Sequence, residues 1–151
     1  MNKVLAGALG GFAATAPMTA VMFLLHRRLP WHEKHPLPPQ EITARVTRRL
    51  GIRHHLDDTE HEAMTWLSHF GYGAATGALY APIAEVVEAP PTLKGAAFGL
   101  LVWAASYLGL LPAANILHQP KEQPARPNLL MIVAHLVWGA SLGILVDHLA
   151  E

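Results

Sequence analysis

Polar residues divide the chain into four long apolar stretches. Charged side chains are almost absent from residues 4–25, 69–87, 95–117 and 128–146, with Glu85 as the one exception. Each stretch has about 20 residues, the length that a helix needs to cross roughly 30 Å of hydrocarbon. We therefore predict an all-α integral membrane protein, a single membrane domain of four transmembrane helices over residues 1–151. The predicted spans are residues 4–25, 66–87, 95–117 and 128–147.

The first link, residues 26–65, contains a pattern typical of a short amphipathic helix. Residues 38–51 place Ile42, Val46 and Leu50 on one face and their arginines off that face. Gly51 suits the end of such a helix. The helix is expected either to lie on the inner leaflet, where anionic lipid would attract the basic residues of 38–53, or to cap the bundle. The two alternatives are compatible.

The end of this link predicts where the second membrane helix begins. Asp57, Asp58 and Thr59 are good N-cap residues, and acidic residues follow them in the first turn. We expect the helix to begin near Asp58, in water, and to enter the bilayer near Trp66, because tryptophan favours the interface.

The basic residues predict the orientation. Nine of the eleven Lys and Arg residues lie in the first link and in the third link, residues 118–127, and only Lys3 and Lys94 lie on the opposite side. Cytoplasmic loops carry an excess of these residues, so both termini are predicted to face outward.

A repeated phrase indicates an internal duplication. HFGYGAATGAL at residues 69–79 recurs as HLVWGASLGIL at residues 135–145. We predict a duplicated two-helix hairpin with a pseudo-twofold axis along the membrane normal. Every predicted span also has glycines four apart, which let helix backbones approach closely in lipid. These glycines are Gly7, Gly11, Gly73, Gly77, Gly95, Gly99, Gly139 and Gly143.

His69 and His135 begin the two copies of the phrase and are the main site candidates. A histidine in a membrane helix is costly unless it faces the bundle interior and finds a partner. One alternative is structural: each ring bonds a neighbouring carbonyl, a hydroxyl or Tyr72. The other is a shared site for a proton, a divalent metal or the iron of a b-type haem. His61 precedes His69 on the same face and would extend a polar track toward the cytoplasm.

The outer end offers a weaker candidate. Glu85, Glu88, Asp147 and His148 cluster there, either as a cation entry or as solvated helix ends.

Three functions follow as hypotheses. The leading one is a module that senses or passes a small cation or proton through His69 and His135. A bis-histidine haem or metal protein and a non-catalytic scaffold or assembly factor are the alternatives. No enzyme signature is present, so catalysis is not expected. The net charge is zero, so we expect the lipid bilayer and not nucleic acid as the partner. A homodimer stays open, because four short helices make a small transporter.

The chain also resembles the YagU-like small bacterial inner-membrane proteins. The resemblance is carried by GALGGFAAT, HFGYGAATGALY, GAAFGLLVW and HLVWGASLGIL. It implies a multi-pass protein of the bacterial inner membrane with no established chemistry, and it brings no catalytic residues.

Overall fold

The computed structural model describes residues 2–118 and 124–150, and within them it contains helices and no strand. The all-helical prediction is therefore confirmed. Lys121 and Pro120 of the third link lie outside the described residues. Five helices are numbered in chain order: α1 Lys3–Arg27, α2 Pro38–Arg49, α3 Asp58–Val86, α4 Pro91–Ala113 and α5 Ala125–Ala150.

Three helices of the described chain, α1, α4 and α5, are long and apolar enough to cross a membrane. Helix α3 contains the predicted second span and is the longest, with 29 residues. It is less apolar, because residues such as Ser68, His69 and Thr76 interrupt its hydrophobic sequence. The count of four spans therefore stays a prediction.

Local chemistry explains where the helices begin and end. The Asp57 side chain accepts a hydrogen bond from the backbone N–H of Glu60, and the Glu60 side chain accepts one from the backbone N–H of Asp57. This capping box begins α3 at Asp58, as predicted. Gly51, at a φ of 70°, ends the turn that follows α2. Helix α4 ends before Asn115, whose φ is 52°, four residues earlier than the predicted span.

Glycines bring the helices together in two pairs. Gly7 and Gly11 of α1 lie against the backbone of Gly77 and Gly73 on α3. Gly95 and Gly99 of α4 lie in the same way against Gly139, Gly143 and the His135 carbonyl on α5. A Cβ on any of these glycines would collide with backbone or with a side chain fixed beside it. Helices α1 and α3 thus form one hairpin, and α4 and α5 form the other.

The two hairpins meet along two seams of different width. The tight seam is the contact of α1 with α5, where a Cβ on Gly10 would stand 3.1 Å from Val146. There the Trp138 Nε1–H donates to the Gly11 carbonyl at 3.2 Å. The open seam lies between α3 and α4, which make far fewer contacts. Two bulky rings, Tyr80 and Phe98, stand between them with centroids 5.1 Å apart.

Helix α2 packs across the end of the bundle where the first link lies. Its apolar stripe is only partly buried, because Leu50 is 66% exposed. Thr43 and Thr47 are buried instead and satisfy their hydroxyls on backbone carbonyls of α2, so threonines can face α3. Arg49 donates to the carbonyls of Ala114 and Asn115 at the end of α4. This is the capping arrangement.

Candidate functional site

The open seam contains a cavity of about 320 Å³ that both site histidines line. Its walls are mainly apolar and come from α1, α2, α3, α4 and α5. The polar side chains around it are Thr15, Ser68, His69, Tyr72, Thr76, Ser106, Tyr107 and His135. His69 and His135, which begin the two copies of the repeated phrase, therefore face one shared space.

His69 is oriented by a threonine of the neighbouring helix. Its Nε2 lies 3.2 Å from the Thr19 Oγ1, and that hydroxyl donates its only hydrogen to the Thr15 carbonyl at 2.7 Å. In this arrangement Thr19 accepts from His69, and the proton of the neutral imidazole is on Nε2. Its Nδ1 then carries a lone pair that no described side chain engages.

His135 is oriented by its own helix. Its Nδ1 lies 2.8 Å from the Met131 carbonyl, which can only accept, so Nδ1 carries the proton. The residue is only 6% exposed, and the Tyr107 ring stands edge-on to it with centroids 5.9 Å apart. The His135 Nε2 is left with a lone pair and no hydrogen bond within the described residues.

A short π-helical segment of α4, Ala105–Leu110, shapes the wall opposite the histidines. It follows the regular turns of Pro91–Ala104 and widens the helix by one residue. Consecutive residues Ser106 and Tyr107 are both buried on the cavity side. Ser106 thereby reaches Tyr72 while Tyr107 reaches His135.

Tyr72 closes part of the open seam. Its hydroxyl shares a hydrogen bond of 2.9 Å with the Ser106 Oγ, which links α3 to α4. Tyr72 is nonetheless 47% exposed and Leu110 is 62% exposed, although both residues line the cavity. The cavity therefore opens between α3 and α4.

His61 lies outside this cavity. It lines a larger vestibule of about 860 Å³ at the end of the bundle that α2 covers, together with His26, Glu33 and Arg48. The His61 Nε2 is buried without a hydrogen bond in the described part of the chain. The vestibule and the inner cavity share Pro38, Tyr107 and Met131 in their walls. His61 and His69 thus line two neighbouring cavities that have these three residues in common.

The opposite end of the bundle holds a third cavity of about 310 Å³, which contains part of the predicted outer cluster. Lys3, Glu85, Lys94 and Asp147 line it, with Tyr80. Lys3 forms an ion pair with Glu85, and Lys94 donates to the Ala84 carbonyl at 3.0 Å. The Tyr80 hydroxyl is buried and has no hydrogen-bond partner among the described residues. An outer cation entry stays a prediction.

The described residues include two histidines at one cavity but do not form a closed metal site. Within residues 2–118 and 124–150, no three side chains of His, Cys, Asp or Glu converge as metal ligands do. Two neutral imidazoles with one unengaged nitrogen each are the donor set of a bis-histidine haem iron. The bond from the His135 Nδ1 to a carbonyl is also typical of ligating histidines. His69 would have to use Nδ1.

Sequence reasoning missed Thr19, Ser106 and Tyr107. Aligning the segment GALGGFAAT of α1 with GAAFGLLVW of α4 would have pointed to Thr19 and Tyr107. In that register Thr19 corresponds to Tyr107, and each stands beside the histidine of its own hairpin. Ser106 depends on the π-helical segment, which no sequence pattern indicated.

Comparison with known proteins gives a family without a function. A family model described as "Protein of unknown function (DUF1440)" matches residues 19–144. No curated protein and no solved structure matches the chain.

Proposed function

Because the chain belongs to the DUF1440 family, whose function is unknown, we propose a function from the site itself: a four-span membrane protein that takes up and passes protons at a histidine pair. The observation that carries the proposal is the pair of unengaged nitrogens, His69 Nδ1 and His135 Nε2, in the walls of one cavity. Each can accept a proton while its other nitrogen stays hydrogen-bonded.

The chemistry of the walls favours a proton over a metal cation. A permeating cation needs several oxygen ligands or water to replace its hydration shell, and a mostly apolar cavity offers few. An imidazole instead forms a covalent N–H bond with the proton. Uptake would begin in the vestibule with His61 and continue past Tyr107, which the two cavities share.

The route to the other face would follow the open seam. Thr76 lines the inner cavity, and Tyr80, one turn further along α3, lines the outer one beside Asp147. The buried Tyr80 hydroxyl has no fixed partner in the described chain, so it is free to relay a proton. In this proposal the two hairpins form a duplicated pair within the bacterial inner membrane, with the vestibule on the cytoplasmic side.

Proton flux into vesicles tests the proposal. Purified protein is reconstituted in liposomes containing a pH-sensitive dye, and a potassium diffusion potential drives protons across the membrane. We expect flux above that of empty vesicles, and we expect His69→Gln/His135→Gln to abolish it. The matched control is His54→Gln/His55→Gln, because these histidines are exposed and lie outside the cavity. Unchanged flux in the first variant, or none in the unaltered protein, would overturn the proposal.

A haem iron is the second candidate, favoured by the hydrogen bond that orients His135. His69 and His135 would hold the iron, which would supply electron transfer. Absorption spectra and iron content of protein from haem-supplied cells test this. A Soret band lost in His69→Gln would support it, and a colourless, iron-free preparation would exclude it.

A further inference from the structure

The cavity in the open seam has features that a proton path does not need. A chain of hydrogen-bonding groups is sufficient for protons, but this space of about 320 Å³ is lined mostly by apolar side chains such as Met18, Val102 and Leu111. That volume lies at the lower end of the range for small-molecule sites, which are concave and apolar with a few placed polar groups. The cavity is therefore large enough for the head of a small ligand.

The opening of this cavity points toward lipid. Two of its exposed wall residues, Tyr72 on α3 and Leu110 on α4, lie at the gap between these two helices. The neighbouring outer surface of the same helices is strongly apolar, with Leu101 and Leu108 more than half exposed. A molecule that enters here would come sideways from the hydrocarbon layer, and an apolar tail could stay there.

The polar groups define which head would be recognised. The neutral tautomers of His69 and His135 present two lone pairs, and neither ring presents a free N–H to the cavity. A ligand held by both histidines must therefore supply hydrogen-bond donors. A charged head would be costly against the apolar wall. Hydroxyl groups on a neutral head satisfy both conditions.

From these observations we propose that the open seam binds one neutral, single-tailed lipid whose small head carries two hydroxyls. The hydroxyls donate to His69 Nδ1 and His135 Nε2, and the tail leaves between Tyr72 and Leu110. A monoacylglycerol and a lipid hydroquinone share this chemistry. The inference goes beyond proton transfer and does not depend on it, because binding can be measured without any flux.

Native mass spectrometry of the detergent-purified protein tests the site with three probes. These are monoolein, decylhydroquinone kept under anaerobic conditions and the matching oxidised decylquinone. We expect one molecule of a hydroxyl-bearing probe per chain. If the hydroquinone is the source, it binds at least about tenfold more tightly than the quinone, whose carbonyls only accept, since one lost hydrogen bond weakens binding by roughly that factor. If monoolein alone binds, the source is a glyceride.

Substitution at the opening keeps the test independent of the histidines. Leu110→Trp places a large ring at the opening and should abolish binding. Leu108→Trp is the matched control, because Leu108 is 57% exposed on the same helix and does not line the cavity. Equal binding of quinone and hydroquinone, no binding of any probe, or binding that survives Leu110→Trp would each overturn the proposal. His69→Phe/His135→Phe should also lose binding.

Discussion

The tight seam and the open seam join the same two hairpins, yet only one of them encloses a site. At the tight seam, Gly10 lets α5 approach α1 until Val146 is in contact, and Trp138 reaches the Gly11 carbonyl. In the register of the repeated phrases, Gly10 corresponds to Phe98, which at the open seam meets the ring of Tyr80. The large ring of Phe98, at the position that corresponds to Gly10, keeps α3 and α4 apart.

The second difference between the seams lies nearer to the histidines, at Trp138 and Tyr72. Trp138 of the tight seam corresponds to Tyr72 of the open seam. Trp138 donates to a backbone carbonyl of the facing helix, whereas Tyr72 shares a hydrogen bond with the Ser106 side chain across the gap. In lipid, close approach of small residues drives helix association, so a seam without them stays loosely packed. A bundle of two similar hairpins can therefore form a cavity by changing a few side chains in one seam while each hairpin keeps its glycine contacts.

The largest expected effect comes from breaking what the two hairpins have in common. Gly73→Leu and Gly99→Leu each place a side chain against the backbone or a buried threonine of the partner helix. We expect each to lower the free energy of unfolding by about 3 kcal/mol or more, or to prevent folding. Thermal unfolding in detergent, followed by circular dichroism, measures this.

Two open glycines are the matched controls for this pair. Gly71 on α3 and Gly109 on α4 have nothing within 4 Å of an added Cβ. Leucine at these positions should leave the free energy of unfolding nearly unchanged, because it also favours helix. If Gly71→Leu were as damaging as Gly73→Leu, close backbone contact would not be what holds α3 to α1.

A smaller effect sharpens the difference between the seams. Trp138→Phe removes a buried hydrogen bond and leaves a void, so we expect a loss of about 2 kcal/mol in the free energy of unfolding. Tyr72→Phe removes only the hydrogen bond to Ser106 at a half-exposed position, and we expect less than about 1 kcal/mol. Chemical unfolding in mixed micelles compares them. Equal losses would mean that the seams are packed alike.

Much of the fold follows from local patterns. The capping residues before Asp58, the glycine after α2 and the charge-free stretches are signals within a few residues, and such signals predict helices well. The buried face of α2 was not predicted, because the apolar stripe outweighed Thr43 and Thr47 in the pattern. Their hydroxyls are satisfied by their own helix, which lets threonine behave as a buried residue.

The candidate site divides in the same way. His69 and His135 were identified because their phrase recurs, and the structure places both at one cavity. His61 was expected to extend a polar track toward the cytoplasm; it lines the vestibule beside the cavity, and the track stays a prediction. The partners Thr19 and Tyr107 come from other helices, so their roles depend on the packing of α1 and α4. The π-helical segment that turns Ser106 inward depends on the same packing.

The most direct test of the account is the reactivity of single cysteines at corresponding positions of the two seams, which is possible because the chain has no cysteine. Thr76 is 9% exposed and lines the cavity of the open seam, whereas its counterpart in the repeat, Leu142, is 0% exposed and does not line it. Thr76→Cys and Leu142→Cys, each checked for folding by size-exclusion chromatography, are treated with N-ethylmaleimide in membranes. We predict that Thr76→Cys is alkylated much faster than Leu142→Cys. Equal rates at both positions would contradict the existence of an open seam.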